Sequence, residues 1–252
     1  MVDWSLRLLG VGNAAAVELG SAMATIERDA RPWLTIDCGG EGLTAFEATY
    51  GDVPRALFMT HAHMDHIAGF ERLFVSAWFD PARRGEVRLY VPVTLLPLLH
   101  QRVASYPNAL AEGGVNFWEA FRVIPVSDHF WLDGQRLEVF PARHHWPDTA
   151  FGLRLRGSLV WTGDTRPIPE ILAKFADADE LIAHDCALEG NPSHSGIEDL
   201  EREYPRELLD RCVLYHYASA AEGVQLRARG YRVGMQGDVI RLRAPAQVPP
   251  QG

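Results

Sequence analysis

The chain has 252 residues, 47% of them apolar, which supplies one sizeable core and excludes intrinsic disorder as its default. Its formal charge of −9 excludes a non-specific grip on long DNA or RNA, which needs a basic surface to displace counterions; a small anionic substrate stays within reach. Three cysteines, Cys38, Cys186 and Cys212, without a C-x-x-C pair exclude a disulfide framework, and no stretch has the length of a membrane span or the pattern of a signal peptide. The expectation is an unprocessed cytoplasmic protein with no membrane partner.

In chain order, short β-type runs at 6–9, 22–27 and 33–36, separated by Gly and Pro, predict hairpins closing on Asp37-Cys38-Gly39-Gly40. A short helix is expected over 43–49 and a strand over 55–59. From Asp65 the apolar period changes, with Ile67, Phe70, Phe74, Ala77 and Trp78 at three- and four-residue spacing, which predicts a helix with Asp65 near its N-cap. A strand follows over 87–91, then a helical stretch and a Gly-containing connection within 93–118. Strands are expected over 121–126, 135–140, 151–155, 159–162, 181–183 and 212–215. The helices predicted in this half cover 168–175, 197–204, 206–209 and 220–229. The last strand is placed at 231–235 with a further one at 239–242, and a frayed tail from 244 to 252. Strands followed by helices, once in each half, are the pattern of a single α+β domain over 1–243, a four-layer αββα sandwich of two mixed β-sheets.

The chemistry gathers at His61-Ala62-His63-Met64-Asp65-His66, four potential metal ligands in six positions directly after an apolar strand. Imidazole and carboxylate together suit zinc and its divalent neighbours, and such a cluster is costly to leave unpaired. Partners should come from other strand ends, because a rigid scaffold then presents them on one rim. Three places qualify: Arg143-His144-His145-Trp146, Gly163-Asp164-Thr165, and His216. Neighbouring residues of an extended segment point to opposite sides, so only one of His144 and His145 is expected to face the metals. Each also has a bland reading: Asp164 as a turn aspartate, His216 as a core histidine, His194 as a helix-entry residue. The collected set suits two divalent ions and metal-assisted hydrolysis.

In that order, His61-x-His63-x-Asp65-His66, a later His, Gly163-Asp164 and a strand-end His216 resemble the metallo-β-lactamase-fold hydrolases over nearly the whole chain. The resemblance implies one metal held by His61, His63 and the histidine at 144 or 145, with His145 favoured because Pro147 and Gly152 follow it at a distance closer to the family's pattern, and a second held by Asp65, His66 and His216. Asp164 would bridge them, and Asp37 would brace the motif loop. Within the superfamily the chain is most similar to the ribonuclease Z and phosphodiesterase branch. Leu8-Leu9-Gly10-Val11-Gly12, Ile36-Asp37-Cys38-Gly39 and Thr162-Gly163-Asp164-Thr165-Arg166-Pro167 carry that likeness. By the same analogy His194 donates a proton to the leaving oxygen and Asp185, standing where that family has a glutamate, orients it. Asp65, His194 and Asp185 are thus the implied catalytic residues.

No insertion resembles the basic arm with which many of those nucleases hold tRNA. The expected function is therefore a dinuclear-zinc phosphodiesterase, with manganese or iron as alternative metals. It would act on a small nucleotide or other phosphate diester by attack of a metal-bound hydroxide. The alternatives are hydrolysis of a carboxylic ester, lactone or thioester by the same metals, a tRNA 3′-end endoribonuclease, and a metal-binding or redox module without hydrolysis. Apart from the small substrate, a second copy of the chain in a homodimer is the one partner weighed.

Overall fold

The structure, a computed structural model, describes residues 2–105 and 114–247. The first half contributes strands β1 (Trp4–Gly10), β2 (Met23–Arg28), β3 (Arg31–Ile36), β4 (Ala56–Phe58), β5 (Val87–Pro92) and β6 (Phe121–Val126). The second contributes β7 (His129–Leu132), β8 (Gln135–Pro141), β9 (Phe151–Leu155), β10 (Leu159–Trp161), β11 (Leu181–Asp185) and β12 (Cys212–Tyr215), and β13 (Val239–Leu242) follows. The helices are α1 (Gly40–Tyr50), α2 (Met64–Ile67), α3 (Phe70–Phe79), α4 (Leu96–Leu99), α5 (Pro169–Phe175), α6 (Ile197–Glu203), α7 (Arg206–Leu209) and α8 (Ala220–Ala228).

These strands build a seven-stranded sheet in the order β13-β1-β2-β3-β4-β5-β6 and a six-stranded sheet in the order β12-β11-β10-β9-β8-β7. Both are mixed. β1 to β3 and β7 to β10 are joined antiparallel as hairpins allow, whereas β3 to β6 and β10 to β12 are parallel and need the intervening helices as crossovers. The expected α+β sandwich of two mixed sheets is the architecture found. Across the interface the Phe58 ring stacks on Phe130 at 5.8 Å and Tyr90 on the same ring at 4.1 Å. Leu6 and Leu8 on β1 and every residue of β9 are buried. No helix among the described residues is long and apolar enough to cross a membrane.

The predicted periodicity after the motif holds: α3 buries Phe70, Leu73, Phe74 and Ala77 at helical spacing. The helix does not begin on Asp65, however. His63 takes the N-cap place of α2 and Asp65 lies inside its only turn. A second difference lies at 231–235, where a strand was expected. Backbone bonds from Leu214 N–H to Arg232 O and from Gly234 N–H to Leu214 O, both 2.9 Å, make one bridge to β12 and no more. The segment also runs close to β1: a Cβ on Gly234 would stand 2.3 Å from Leu8 Cδ1. The 93–118 stretch is broken into a 3₁₀ turn, α4 and a π-type turn over His100–Ala104; residues 106–113 of that expectation lie outside the described residues. So do 248–252 of the expected frayed tail, while Ala246 N–H bonds Arg156 O at 2.8 Å.

Candidate metal centre

The chemistry sits where strands of both sheets end. β3 ends before Asp37, β4 before His61, β10 before Asp164 and β12 before His216, while Asp185 closes β11. β8 runs the same way as β10, each being antiparallel to β9, so His144 also arrives at a carboxyl end. Side chains far apart in sequence therefore meet at one rim, as ligands do outside the carboxyl ends of parallel strands.

Docking of the motif loop is fixed by backbone. Cys38 N–H bonds His66 O and Gly69 N–H bonds Cys38 O, each at 2.8 Å, which clamps α2 against the turn after β3. The approach demands small residues: a Cβ on Gly69 would stand 2.8 Å from Cys38 O. Asp37, with φ at +65°, turns its buried carboxylate inward. It accepts from the Thr60 amide and hydroxyl, both at 2.7 Å, and from His66 Nδ1 at 2.8 Å. His66 Nε2 is thereby left pointing at the cluster.

Two groups of donors result, His61, His63, His144 with Asp164, and Asp65, His66, His216 with Asp164; in each, the donor atoms lie within 4.8 Å of one another. Asp164 belongs to both. Its Oδ2 is 3.1 Å from His216 Nε2, 3.2 Å from His66 Nε2 and 3.5 Å from His61 Nε2. Yet neither Asp164 oxygen, nor His66 Nε2, nor His216 Nε2, has a hydrogen-bond partner, although all are buried. Unpaired buried polar groups cost roughly 1–3 kcal/mol each and are rare in native proteins. Atoms that converge without bonding to one another fit a cation between them, and imidazole with carboxylate is the donor set of zinc and its divalent neighbours.

The electrostatics agree. Burial works against charge on His66 and His216, but the carboxylates beside them, Asp164 first, outweigh it and hold both imidazoles well above their usual pKa. Burial likewise opposes the Asp164 carboxylate, and His216, His66 and His61 hold it well below the usual range. His61 is pushed well down by burial and by the charge of His66, and His144 is pushed down to about 4, chiefly by burial. A divalent ion bound among these groups would displace the protons they hold.

The structure departs from the expected histidine. His144 is 2% exposed, donates Nδ1–H to the Ser193 carbonyl at 3.0 Å and brings Nε2 to 3.1 Å from His63 Nδ1. His145 is exposed and outside both groups, and its nearest polar partner is Ser193 Oγ at 3.4 Å. A left-handed backbone at His145, φ +56°, swings it to the mouth and leaves His144 under His194. The spacing to Pro147 that favoured His145 counts residues along the chain and is blind to that turn.

His194 and Asp185 form a third group with His216. Asp185 accepts from His194 Nδ1 at 2.9 Å and from the Thr165 amide at 2.8 Å, and its other oxygen is 3.4 Å from His216 Nδ1. The aspartate, shorter than the family's glutamate, thus reaches His194. Asp185 is also tied to a residue of the metal groups, which sequence reasoning missed. His194 lies 4.8 Å from His216, ring over ring, and with Asn13, Asn191 and Asp65 it lines a cavity of about 660 Å³. Thr60, Thr165 and Ser193, which set these orientations, left no signal in the sequence because ordinary turns use the same residues.

Two facing mixed sheets with this rim of His and Asp define a metal-dependent hydrolase of the metallo-β-lactamase fold. More narrowly, the chain belongs to the Anti-Pycsar protein Apyc1 family, whose model matches residues 4–240. It is 26% identical to the Anti-Pycsar protein Apyc1 of Bacillus phage BSP38, over 92% of this chain and 96% of that one. The likeness to ribonuclease Z is present as well: 25% identity to the enzyme of Mycobacterium sp. (strain KMS), over 89% of this chain and 79% of the relative. Among solved structures, a diphosphatase of the PhnP family superposes with a TM-score of 0.74 at 16% identity, covering 98% of this chain and all of the other, which speaks for the fold.

Proposed function

We propose that the protein is a dinuclear phosphodiesterase, loaded with two zinc ions or close divalent equivalents, that hydrolyses a small nucleotide such as a cyclic nucleotide, or another small phosphate diester. One observation carries the reading: a single buried carboxylate, Asp164, shared by two His/Asp groups with neither oxygen hydrogen-bonded. In this reading His61, His63 and His144 hold one ion, Asp65, His66 and His216 the other, and Asp164 lies between. A bound pair supplies a strong nucleophile at neutral pH and neutralises charge on the phosphoryl oxygens. The protein's own part is proton delivery and placement. With Asp185 accepting its Nδ1–H, His194 keeps Nε2 for the leaving oxygen, and stacking on His216 fixes the ring over the centre.

An alkoxide leaving phosphorus needs that proton. The relative named ribonuclease Z and the neighbour described as a diphosphatase are named for chemistry at phosphorus, which favours a diester over a carboxylic ester, lactone or thioester. The 660 Å³ cavity has the size of a small-molecule site, and the net charge of −9 weighs against tRNA. Three buried, unpaired cysteines keep the cytoplasm as the proposed setting.

The test is turnover of an aryl phosphodiester and of cyclic nucleotides by metal-loaded protein, beside an aryl ester. Phosphodiester turnover lost in Asp164→Ala is expected; preference for the ester, or inertness of the loaded wild type toward every diester, overturns the reading.

A further inference from the structure

The metal groups border two cavities. The larger, described above, includes the carboxylates of Glu41, Asp65 and Asp164 in its lining. The second, about 330 Å³, is lined by His61, His63 and His144 together with Arg102, His145 and Trp146, with no acidic residue among the described residues. A molecule filling it would lie against three histidines of the candidate centre.

Its wall is built for exposure. Trp146 is 79% exposed, an unusual place for the largest side chain, which is normally buried where it can be. The loop carrying it is not loose. Left-handed residues bracket it, His145 at φ +56° and Asp148 at φ +60°. Thr149 Oγ1 donates to Trp146 O at 2.6 Å, Thr94 Oγ1 to Asp148 O at 2.7 Å, and Ala142 N–H bonds Ala150 O at 2.9 Å. The fold spends backbone conformation to hold an indole in solvent beside a metal centre. In the same lining, the Arg102 side chain is exposed and makes no hydrogen bond or ion pair among the described residues. It stands on a π-type turn, a departure from helical geometry often found at functional sites.

An aromatic face beside a guanidinium that has no carboxylate partner among the described residues suits a nucleobase, since every base offers a π-face for stacking and ring atoms that accept hydrogen bonds. We propose that this second cavity is the nucleobase subsite: it takes the heteroaromatic ring of a nucleotide whose phosphate lies at the metal centre, with Trp146 stacking on the ring and Arg102 contacting it. The inference rests on the proposed phosphodiesterase reading and names the part of the substrate that the smaller cavity selects.

Equilibrium binding separates the two. Calorimetry on metal-loaded protein would compare adenosine 5′-monophosphate with ribose 5-phosphate, which has the phosphate and sugar but no base. Wild type should bind the nucleotide more tightly than the sugar phosphate. Trp146→Ala should weaken the nucleotide about five- to tenfold and leave ribose 5-phosphate within twofold, with Trp146→Phe restoring most of the loss. Arg102→Ala should act in the same sense. Metal content, by elemental analysis, should match wild type in all three. Equal weakening of both ligands, no weakening of the nucleotide, or no wild-type preference for the nucleotide overturns the subsite. Because binding needs no turnover, base-dependent binding without diester hydrolysis would sink the phosphodiesterase reading alone. Hydrolysis without a base-dependent effect of Trp146 would sink the subsite alone.

Discussion

At the scale of single residues, the centre is set by where each imidazole sends its second nitrogen. His66 gives one proton to Asp37 and His144 gives one to the Ser193 carbonyl, so both are oriented before any ion arrives. The neighbouring pair His144 and His145 makes this testable. His144→Ala is expected to lose close to one equivalent of metal and most turnover, while His145→Ala keeps both equivalents; elemental analysis of the two purified variants decides it, and the reverse pattern would restore His145 as the ligand. Asp37→Asn keeps the shape but weakens the grip on His66, and metal affinity should fall roughly 10- to 100-fold, read by competition with a chromogenic chelator. The clustered ligands His61 to His66 were legible in the sequence because four donors in six positions have no other economical explanation. The choice at 144 and 145 was not, since it depends on a left-handed turn and a carbonyl 49 residues away.

Among the elements, the hairpin β1–β2 and helix α1 are tied by one carboxylate. Glu27 is 1% exposed; it accepts from Ser5 Oγ, from Arg7 Nε and from the Tyr50 hydroxyl, each at 2.6 Å. Burial alone would raise its pKa, but the bonds from Ser5, Tyr50 and Arg7 bring it below the usual value. A carboxyl depressed in the folded state adds stability that is complete above its unfolded pKa of about 4.3 and is lost as pH falls through the folded value. Glu27→Gln should therefore cost about 1–3 kcal/mol at neutral pH, and the gap to wild type should narrow as pH falls below about 4.3. Urea unfolding at pH 7 and pH 3.5 measures both; an equal gap at the two values would show that shape, not charge, holds the hairpin to α1. Elements with a strong period, such as α3, could be read from sequence alone. The stretch at 231–235 looked like a strand because its composition suits one, but it makes a single bridge to β12, and local pattern does not report how much pairing a distant strand will offer.

For the whole molecule, two sheets deliver histidines and aspartates from six strand ends to one rim, and in the metal-free state that rim is a buried cluster of unpaired donors. Metal bound there would therefore add to the stability. At a free metal concentration about a hundredfold above Kd the linkage is worth about 2.7 kcal/mol, which for a chain of this size corresponds to a fall in Tm of roughly 5–10 °C on chelation. Differential scanning calorimetry with and without chelator checks it, and an unchanged Tm would mean that the cluster does not hold metal in the native state. The sequence by itself determined the αββα sandwich, through the alternation of strand and helix periods, and most of the donors, through their density at strand ends. It also carried the likeness to ribonuclease Z. Tertiary structure alone decided that His144 joins the donor cluster, that Asp185 links His194 to His216, and that Trp146 stands exposed beside that cluster. The physical reason is common to all three: local pattern reports which face of its own element a residue occupies, whereas orientation at a convergent site is settled by hydrogen bonds and turns contributed from elsewhere in the chain.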